Sequence, residues 1–560
     1  MKTISFMKIN LTRTVLFLSI YYLSYAVSFA QNSSKIPPEK PKLIIGIVVE
    51  QMRYDYLSRF WNQFGENGFK RLVNEGNNCK NANFSHFFTQ TGVNYATLVT
   101  GTSPSYHGIV ADEWYMPLKN KVINCVEDER EKSVGGSFES GRFSPRNILT
   151  TTIGDEIRLS NFMQSKVISI SLEGKSSVIA GGHNPNAAYW LDSETGRWIS
   201  GSYYLNDLPL WVNDFNNKKF ADMYMSRSWE PKLPIEQYVQ CLTDDNPYEK
   251  GINGKRTFPY PLYELGASKN KDKFNYKLLQ TTPFGNSLTT DFAINTIVNE
   301  QLGKDDNTDL LMLGYSATEN IGQNFGTSSI EVMDAFLKLD EDIAHLLTFL
   351  DSEIGKQNIL VIFTSNHGAA ANAEYLATTK IPVGYFSQTS SISLLRSYLN
   401  AIYGKGEWVK FYNAQQVYLN QDLIEESKQS LSDVQNKTAQ FLLQFTGVSN
   451  TVSATTLQNS YFSDGVYSKM QKGYNQKRSG DVIINLDPGW AEKNGSSTSH
   501  NSSYSYDTHV PLVWYGWKIK RGSVFEKVDM TDVAPTISYF LEIASPNAST
   551  GQPIQGVVNQ

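Results

Sequence analysis

A chain of 560 residues, 40% hydrophobic and 19% charged, can form one large α/β core with inserted subdomains, or two to three separate domains. Its formal net charge of -5 gives no electrostatic basis for nucleic acid as a partner and none for an anionic membrane surface. With 31 Tyr and 10 Trp the composition is that of a folded protein, not a disordered one.

At the start of the chain Lys2, Lys8 and Arg13 lead into an apolar run over residues 15–27, which closes on Ser28, Phe29 and Ala30 before Gln31. That is the layout of a secretory signal peptide, and the run is short of the ~20 residues a membrane span needs. Residues 1–30 are expected to be removed, which makes the protein periplasmic or secreted, with no transmembrane anchor after cleavage. Residues 31–41 are polar and Pro-rich and read as a flexible mature N-terminus. An exported chain can hold a disulfide, and Cys79 with Cys125 is the expected pair because both follow the first strand. The third cysteine is Cys241; no CxxC spacing points to metal binding.

Residues 43–49 are apolar on both faces, as in a buried strand of a parallel sheet. Similar runs recur at 167–172, 310–313, 359–363 and 510–515. Helical patterns lie between them, at 291–302 and at 330–350, where Val332, Phe336, Leu339, Ile343, Leu346 and Leu347 share one face. The alternation predicts an α/β fold, a parallel-rich sheet covered by helices on both sides. Residues of about 200–272 read as a loop-dominated insertion, and about 405–485 as a second one with an amphipathic helix over 423–445. Ligand sites in open α/β sheets lie beyond the carboxyl ends of the strands. There stand Glu50, the stretch Thr89-Gln90-Thr91-Gly92-Val93-Asn94, Glu319 with Gln323, Asn366 with His367, and His500.

The segments IIGIVVEQMRYDYL, GFKRLVNEGNNC, TQTG, LVTGTSPSYHGI, GGHNPNAAYW, TPFGNSLTTDFA and YDTHVPLVWYGW carry a specific resemblance. Over nearly the whole mature chain the sequence resembles the periplasmic, phosphate-irrepressible branch of the alkaline phosphatase superfamily, close to the nucleotide pyrophosphatase/phosphodiesterases. The resemblance implies two zinc ions that activate a Thr or Ser nucleophile, at the position of Thr91. It implies one metal at Glu319, Gln323 and His500, and the other at Glu50, Asn366 and His367 together with Thr91. Phosphate contacts are implied at Asp112, Glu173 and Lys175.

Only Thr91, His367 and His500 match the family pattern. The family has Asp at 50, 319 and 366, His at 323, Asn at 112, and Lys and Arg at 173 and 175. Gln for His gives a weak neutral ligand, and Asn for Asp removes an anionic one. Asp112 and Glu173 set carboxylates against a phosphate dianion, and Lys175 lacks the bidentate fork of Arg. The expectation is therefore an exported, catalytically impaired phosphatase-like protein with no metal or a weakly bound divalent one. It would bind an unknown, phosphate-ester-like small molecule, and two zinc ions are expected only where the site still functions. The alternative is an active metal-dependent phosphomonoesterase or phosphodiesterase with altered metal or substrate preference, using Thr91. A third reading makes the 405–485 insertion a contact surface. His107, His183, His345 and His509 read as structural residues.

Overall fold

The computed structural model describes residues 37–267, 274–493 and 495–559, so the expected signal peptide lies outside it. Strand β1 (Leu43–Val49) is buried along its whole length. Its odd-numbered apolar residues, Leu43, Ile45, Ile47 and Val49, enter one hydrophobic core, whereas Ile44 and Val48 enter another. Successive side chains of a strand point to opposite faces, so a run apolar at every position is stable only when both faces are covered.

Among the described residues the main sheet has ten strands. The others are β2 (Asn77–Cys79), β3 (Ser133–Val134), β4 (Val167–Ser171), β5 (Ala187–Asp192), β6 (Arg197–Gly201), β7 (Asp309–Tyr315), β8 (Ile359–Thr364), β9 (Leu512–Gly516) and β10 (Gly522–Val524). The order across the sheet is β10-β2-β9-β8-β1-β7-β4-β5-β6-β3. The central five, β8, β1, β7, β4 and β5, are parallel, in line with the sequence. Gly46 pairs with Met312, and a Cβ at 46 would lie 2.4 Å from the Met312 sulfur. The last apolar run departs from expectation, since β9 is antiparallel to β8. The chain reaches β9 from the loop bearing His500, at the carboxyl edge of the parallel strands, and can only run back from there.

Helices α1 (Thr91–Thr100), α2 (Gly174–Gly181) and α6 (Val533–Leu541) pack on one face, and α3 (Pro283–Asn299) and α5 (Ile330–Glu353) on the other, with α4 (Ala317–Phe325) between β7 and α5. Ser329 caps α5 by accepting from the Val332 N–H at 3.1 Å, and all six residues of its anticipated stripe are buried. Helix α3 begins at Pro283, well before 291. Its Gly-, Asn- and Thr-rich first turns have poor intrinsic propensity and are helical because they are packed: a Cβ at Gly285 would sit 2.3 Å from the Leu279 carbonyl.

The expected insertion over 200–272, of which residues 268–272 lie outside the described residues, is more ordered up to residue 267 than its composition suggests, with helices at Leu210–Asn217 and Phe220–Met225. Within 405–485 a four-stranded sheet, Val409–Asn413, Gln416–Leu419, Val482–Leu486 and Val448–Ser453 in spatial order, has its own core, including Val417, Val434 and Ile484. The 423–445 pattern resolves into two helices, Gln421–Glu426 and Leu431–Leu442. Lys428 breaks them at φ 55, and Ser430 caps the second.

The expected disulfide is absent: Cys79 and Cys125 are both free and buried. Cys79 sits in edge strand β2, whereas Cys125 packs behind the first turn of α1, where a Cβ on Gly92 would come within 2.9 Å of its sulfur. Burial pushes the Cys79 thiol up to about 12.

His107, His183 and His509 are hydrogen-bonded within the fold. His86 and His107 share the Thr97 hydroxyl, at 3.0 and 3.1 Å. Burial lowers His86 to about 4 and lowers His107 as well. Folding on neutral imidazoles gives stability that is present above the unfolded value near 6.5 and is lost as pH falls toward 4. The destabilisation caused by His86→Gln is therefore expected to be larger at pH 7 than at pH 4.5, by roughly 2–3 kcal/mol. Urea unfolding of both proteins at the two pH values measures it; a pH-independent difference would refute the assignment.

Candidate active site

The carboxyl ends of three adjacent strands deliver four of the ten expected residues. Glu50 directly follows β1, Glu319 lies in the first turn of α4 after β7, and Asn366 and His367 follow β8. Thr91 opens α1, Asp112 precedes a short strand (Glu113–Met116), and Glu173 and Lys175 flank the start of α2 after β4. His500 comes from the loop before β9, its Nδ1 donating to the Thr89 carbonyl at 2.8 Å.

Glu319, His367 and His500 form the tightest group, their ligand atoms all within 4.8 Å of one another. The three come from both of the expected metal sets, His367 from one and Glu319 with His500 from the other. Glu319 Oε1 is 3.3 Å from His500 Nε2, and Oε2 is 3.7 Å from His367 Nε2. The two imidazoles stack, with ring centroids 3.9 Å apart. Both nitrogens of His500 face acceptors, a carbonyl and a carboxylate, an arrangement that favours the protonated ring. Burial opposes that charge, but the hydrogen bond and charge of Glu319 overcome it and raise His500 to about 9. His367 is lowered to about 3 by burial and then by the charge of His500. Glu319 is likewise buried, yet His500, His367 and Lys175 hold it below the usual carboxylate range.

Thr91 is fully buried and donates to Glu319 Oε2 at 3.1 Å. Asn366 also reaches it. The Asn366 Oδ1 accepts from the backbone N–H groups of Gln51, at 3.1 Å, and His367, at 2.8 Å. Two fixed donors on one atom settle which atom is the oxygen. The amide NH₂ therefore faces Thr91 Oγ1, at 3.4 Å. Gln323, one turn after Glu319, donates its own NH₂ to Glu319 Oε1 at 3.0 Å.

Glu50 is 1% exposed; Ser176 and Tyr95 donate to its Oε1, and its Oε2 has no partner. Burial, then the charges of Glu319 and Glu173, raise its pKa well above the usual value. The two-zinc arrangement fits these residues only in part. Glu319, His367 and His500 can converge on one cation once His500 gives up a proton. On the other side Glu50 offers an unsatisfied oxygen, but Asn366 presents a donor where an anionic ligand is needed, and the second site does not fit.

The phosphate-facing positions are paired with one another. Lys175 bridges Asp112, at 2.7 Å, and Glu173, at 3.7 Å, and Asp112 also accepts from the Gly92 N–H at 2.8 Å. Beside them opens a cavity of about 360 Å³, whose lining includes Asp112, Glu113 and Glu492 together with Lys175 and His500. Sequence reasoning missed the supporting residues Ser176, Tyr95 and Gln51. Ser176 directly follows Lys175, but nothing in its spacing ties it to Glu50.

This fold, with Thr91, Glu319 and two histidines at the strand ends, defines an alkaline phosphatase-like protein. The family model of type I phosphodiesterase / nucleotide pyrophosphatase matches residues 44–511, and the chain belongs to that family. It is 38% identical over 555 residues to a Myroides odoratus protein that bears the name calcium-transporting ATPase, covering 98% of this chain and 100% of that one. It is 36% identical to the alkaline phosphatase PafA of Elizabethkingia meningoseptica, covering 95% and 96% of the two chains. The crystal structure of wild-type PafA superposes with a TM-score of 0.88 over 93% of this chain and 99% of that chain. The alkaline phosphatase PhoV of Synechococcus elongatus is 37% identical, covering 92% of each.

Proposed function

We propose that this protein is an exported pseudophosphatase, a phosphatase-like fold that binds a small molecule at the strand ends without hydrolysing a phosphate monoester. The observation that carries the reading is the Asn366 amide, locked by two backbone donors so that its NH₂ points at Thr91. A metal there would have to displace a hydrogen-bond donor and would lack the charge that lowers the nucleophile's pKa. On the side of Asp112, Glu113 and Glu492 the adjacent cavity supports ligand groups that are neutral or cationic, since a dianion there would meet carboxylates, with Lys175 already held by Asp112 and Glu173. The positively charged start and apolar run of residues 1–30 support export to the periplasm or beyond. No helix among the described residues is long and apolar enough to cross a membrane.

The test is turnover of p-nitrophenyl phosphate by purified protein with and without added zinc, beside Thr91→Ala. Equal, near-background rates in all four conditions are expected. Zinc-dependent turnover that vanishes in Thr91→Ala would overturn the proposal. The Glu319–His367–His500 cluster favours a second reading, hydrolysis of an ester with a single bound cation. It predicts turnover that depends on an added divalent ion and is lost in His500→Ala.

A further inference from the structure

Two parts of the chain wall the cavity beside the strand-end site. Asp112, Lys175 and Gln323 come from the α/β core, and Asn413 and Ala414 from the turn between Val409–Asn413 and Gln416–Leu419 of the insertion. That turn places Ala414 and Gln415 at φ 49 and 61, a left-handed pair that ordinarily takes Asn and Gly. It is held from both sides. Asn413 Nδ2 donates to the Glu113 carbonyl at 2.9 Å, and Gln415 Nε2 donates to the Asn501 carbonyl at 3.0 Å. Backbone strain of this kind persists only where the surroundings impose it, so the insertion gives the site a rigid wall.

Apart from Ala414, every side chain lining the cavity is polar. Ligand pockets are ordinarily mostly apolar, so this one disfavours a lipid chain or an aromatic ring and suits a ligand polar on all sides. Its cations are already engaged. Lys175 is held by Asp112 and Glu173, and His500 by Glu319 at 3.3 Å. No lining cation is then left for the half-buried Glu492, which accepts from the Tyr412 hydroxyl and whose carboxyl burial raises above its ordinary value. Asn501 makes a similar demand. It lines the cavity, is 7% exposed, and its Oδ1 has no hydrogen-bond partner. Buried acceptors are almost always partnered, and an unpaired one is costly. Gln415 joins the two residues, its N–H facing Glu492 and its side chain bonded to Asn501.

We infer that the cavity binds a hydroxylated primary amine of amino-sugar size, its ammonium group donating to Glu492 and Asn501 Oδ1. An ammonium carries three donors and no acceptor, which matches a carboxylate and an unpaired amide oxygen side by side. Hydroxyls both donate and accept, and so match a wall of amides and hydroxyls such as Asn124, Asn413 and Ser499. The volume of about 360 Å³ is within the range of small-molecule sites. This names a ligand class for the strand-end site and rests on the reading that the site binds without hydrolysing. The two fail separately: turnover of p-nitrophenyl phosphate tests the absence of hydrolysis, and amine binding tests the ligand class.

The experiment is isothermal titration of the purified protein with D-glucosamine and with D-glucose, in buffer acid enough to keep the amine protonated. The two sugars differ only in the ammonium group. Glucosamine is expected to bind one per chain and at least tenfold more tightly than glucose. Glu492→Gln should weaken glucosamine at least tenfold and leave glucose unchanged. Asn501→Gly should weaken glucosamine as well, and glycine accepts the φ of 91 at that position, so this variant keeps the test open where Glu492→Gln does not fold. Absence of glucosamine binding, equal affinity for both sugars, or an unchanged glucosamine affinity in a folded variant would each overturn the proposal.

Discussion

Combining Gln323→His with Asn366→Asp is expected to tighten zinc binding at least about 100-fold, more than supporting groups around a metal site usually contribute. The geometry gives each change its own share. At 366 the Gln51 and His367 N–H groups would keep one carboxylate oxygen, leaving the other, now anionic, toward Thr91. At 323 an imidazole would replace the amide whose NH₂ occupies Glu319 Oε1, freeing that oxygen for the metal. The same charge that attracts zinc should harm the metal-free protein, because the new carboxylate joins Glu50 and Glu319 in a buried space. A loss of about 1–3 kcal/mol in chelator, reversed by zinc, is expected. Competition against a chromophoric chelator gives the affinity, and thermal unfolding with and without zinc gives the linkage. An unchanged zinc affinity would mean that the Asn366 amide is not what excludes the second metal.

The second large effect concerns the phosphate-facing side. Asp112→Asn with Glu173→Lys should strengthen binding of inorganic phosphate roughly 10- to 100-fold. A unit charge at 4 Å is worth about 4 kcal/mol at an effective dielectric of 20, but these side chains are about a quarter exposed and solvent screens part of it. The Asn side chain at 112 would still accept from the Gly92 N–H, so the start of α1 is expected to stay in place. Lys175, released from both carboxylates, would become available to the anion. Isothermal titration with phosphate measures the gain; an affinity equal to the wild type's would show that the carboxylates do not govern what enters the site.

The sequence by itself determined the layered α/β fold, because a run like residues 43–49, apolar at every position, is stable only when covered on both faces. It also marked the strand ends that carry Glu50, Glu319, Asn366 and His367, since the residues directly after such runs have little freedom in where they lie. The direction of β9, the early start of α3 and the separation of Cys79 from Cys125 were decided by long-range packing, which local pattern does not encode. The grouping of Glu319 with both histidines was decided the same way, because it depends on a loop from the far end of the chain brought to 2.8 Å from Thr89. The orientation of the Asn366 amide is likewise tertiary: sequence names the residue, but only the converging N–H groups of Gln51 and His367 determine which of its two faces meets Thr91.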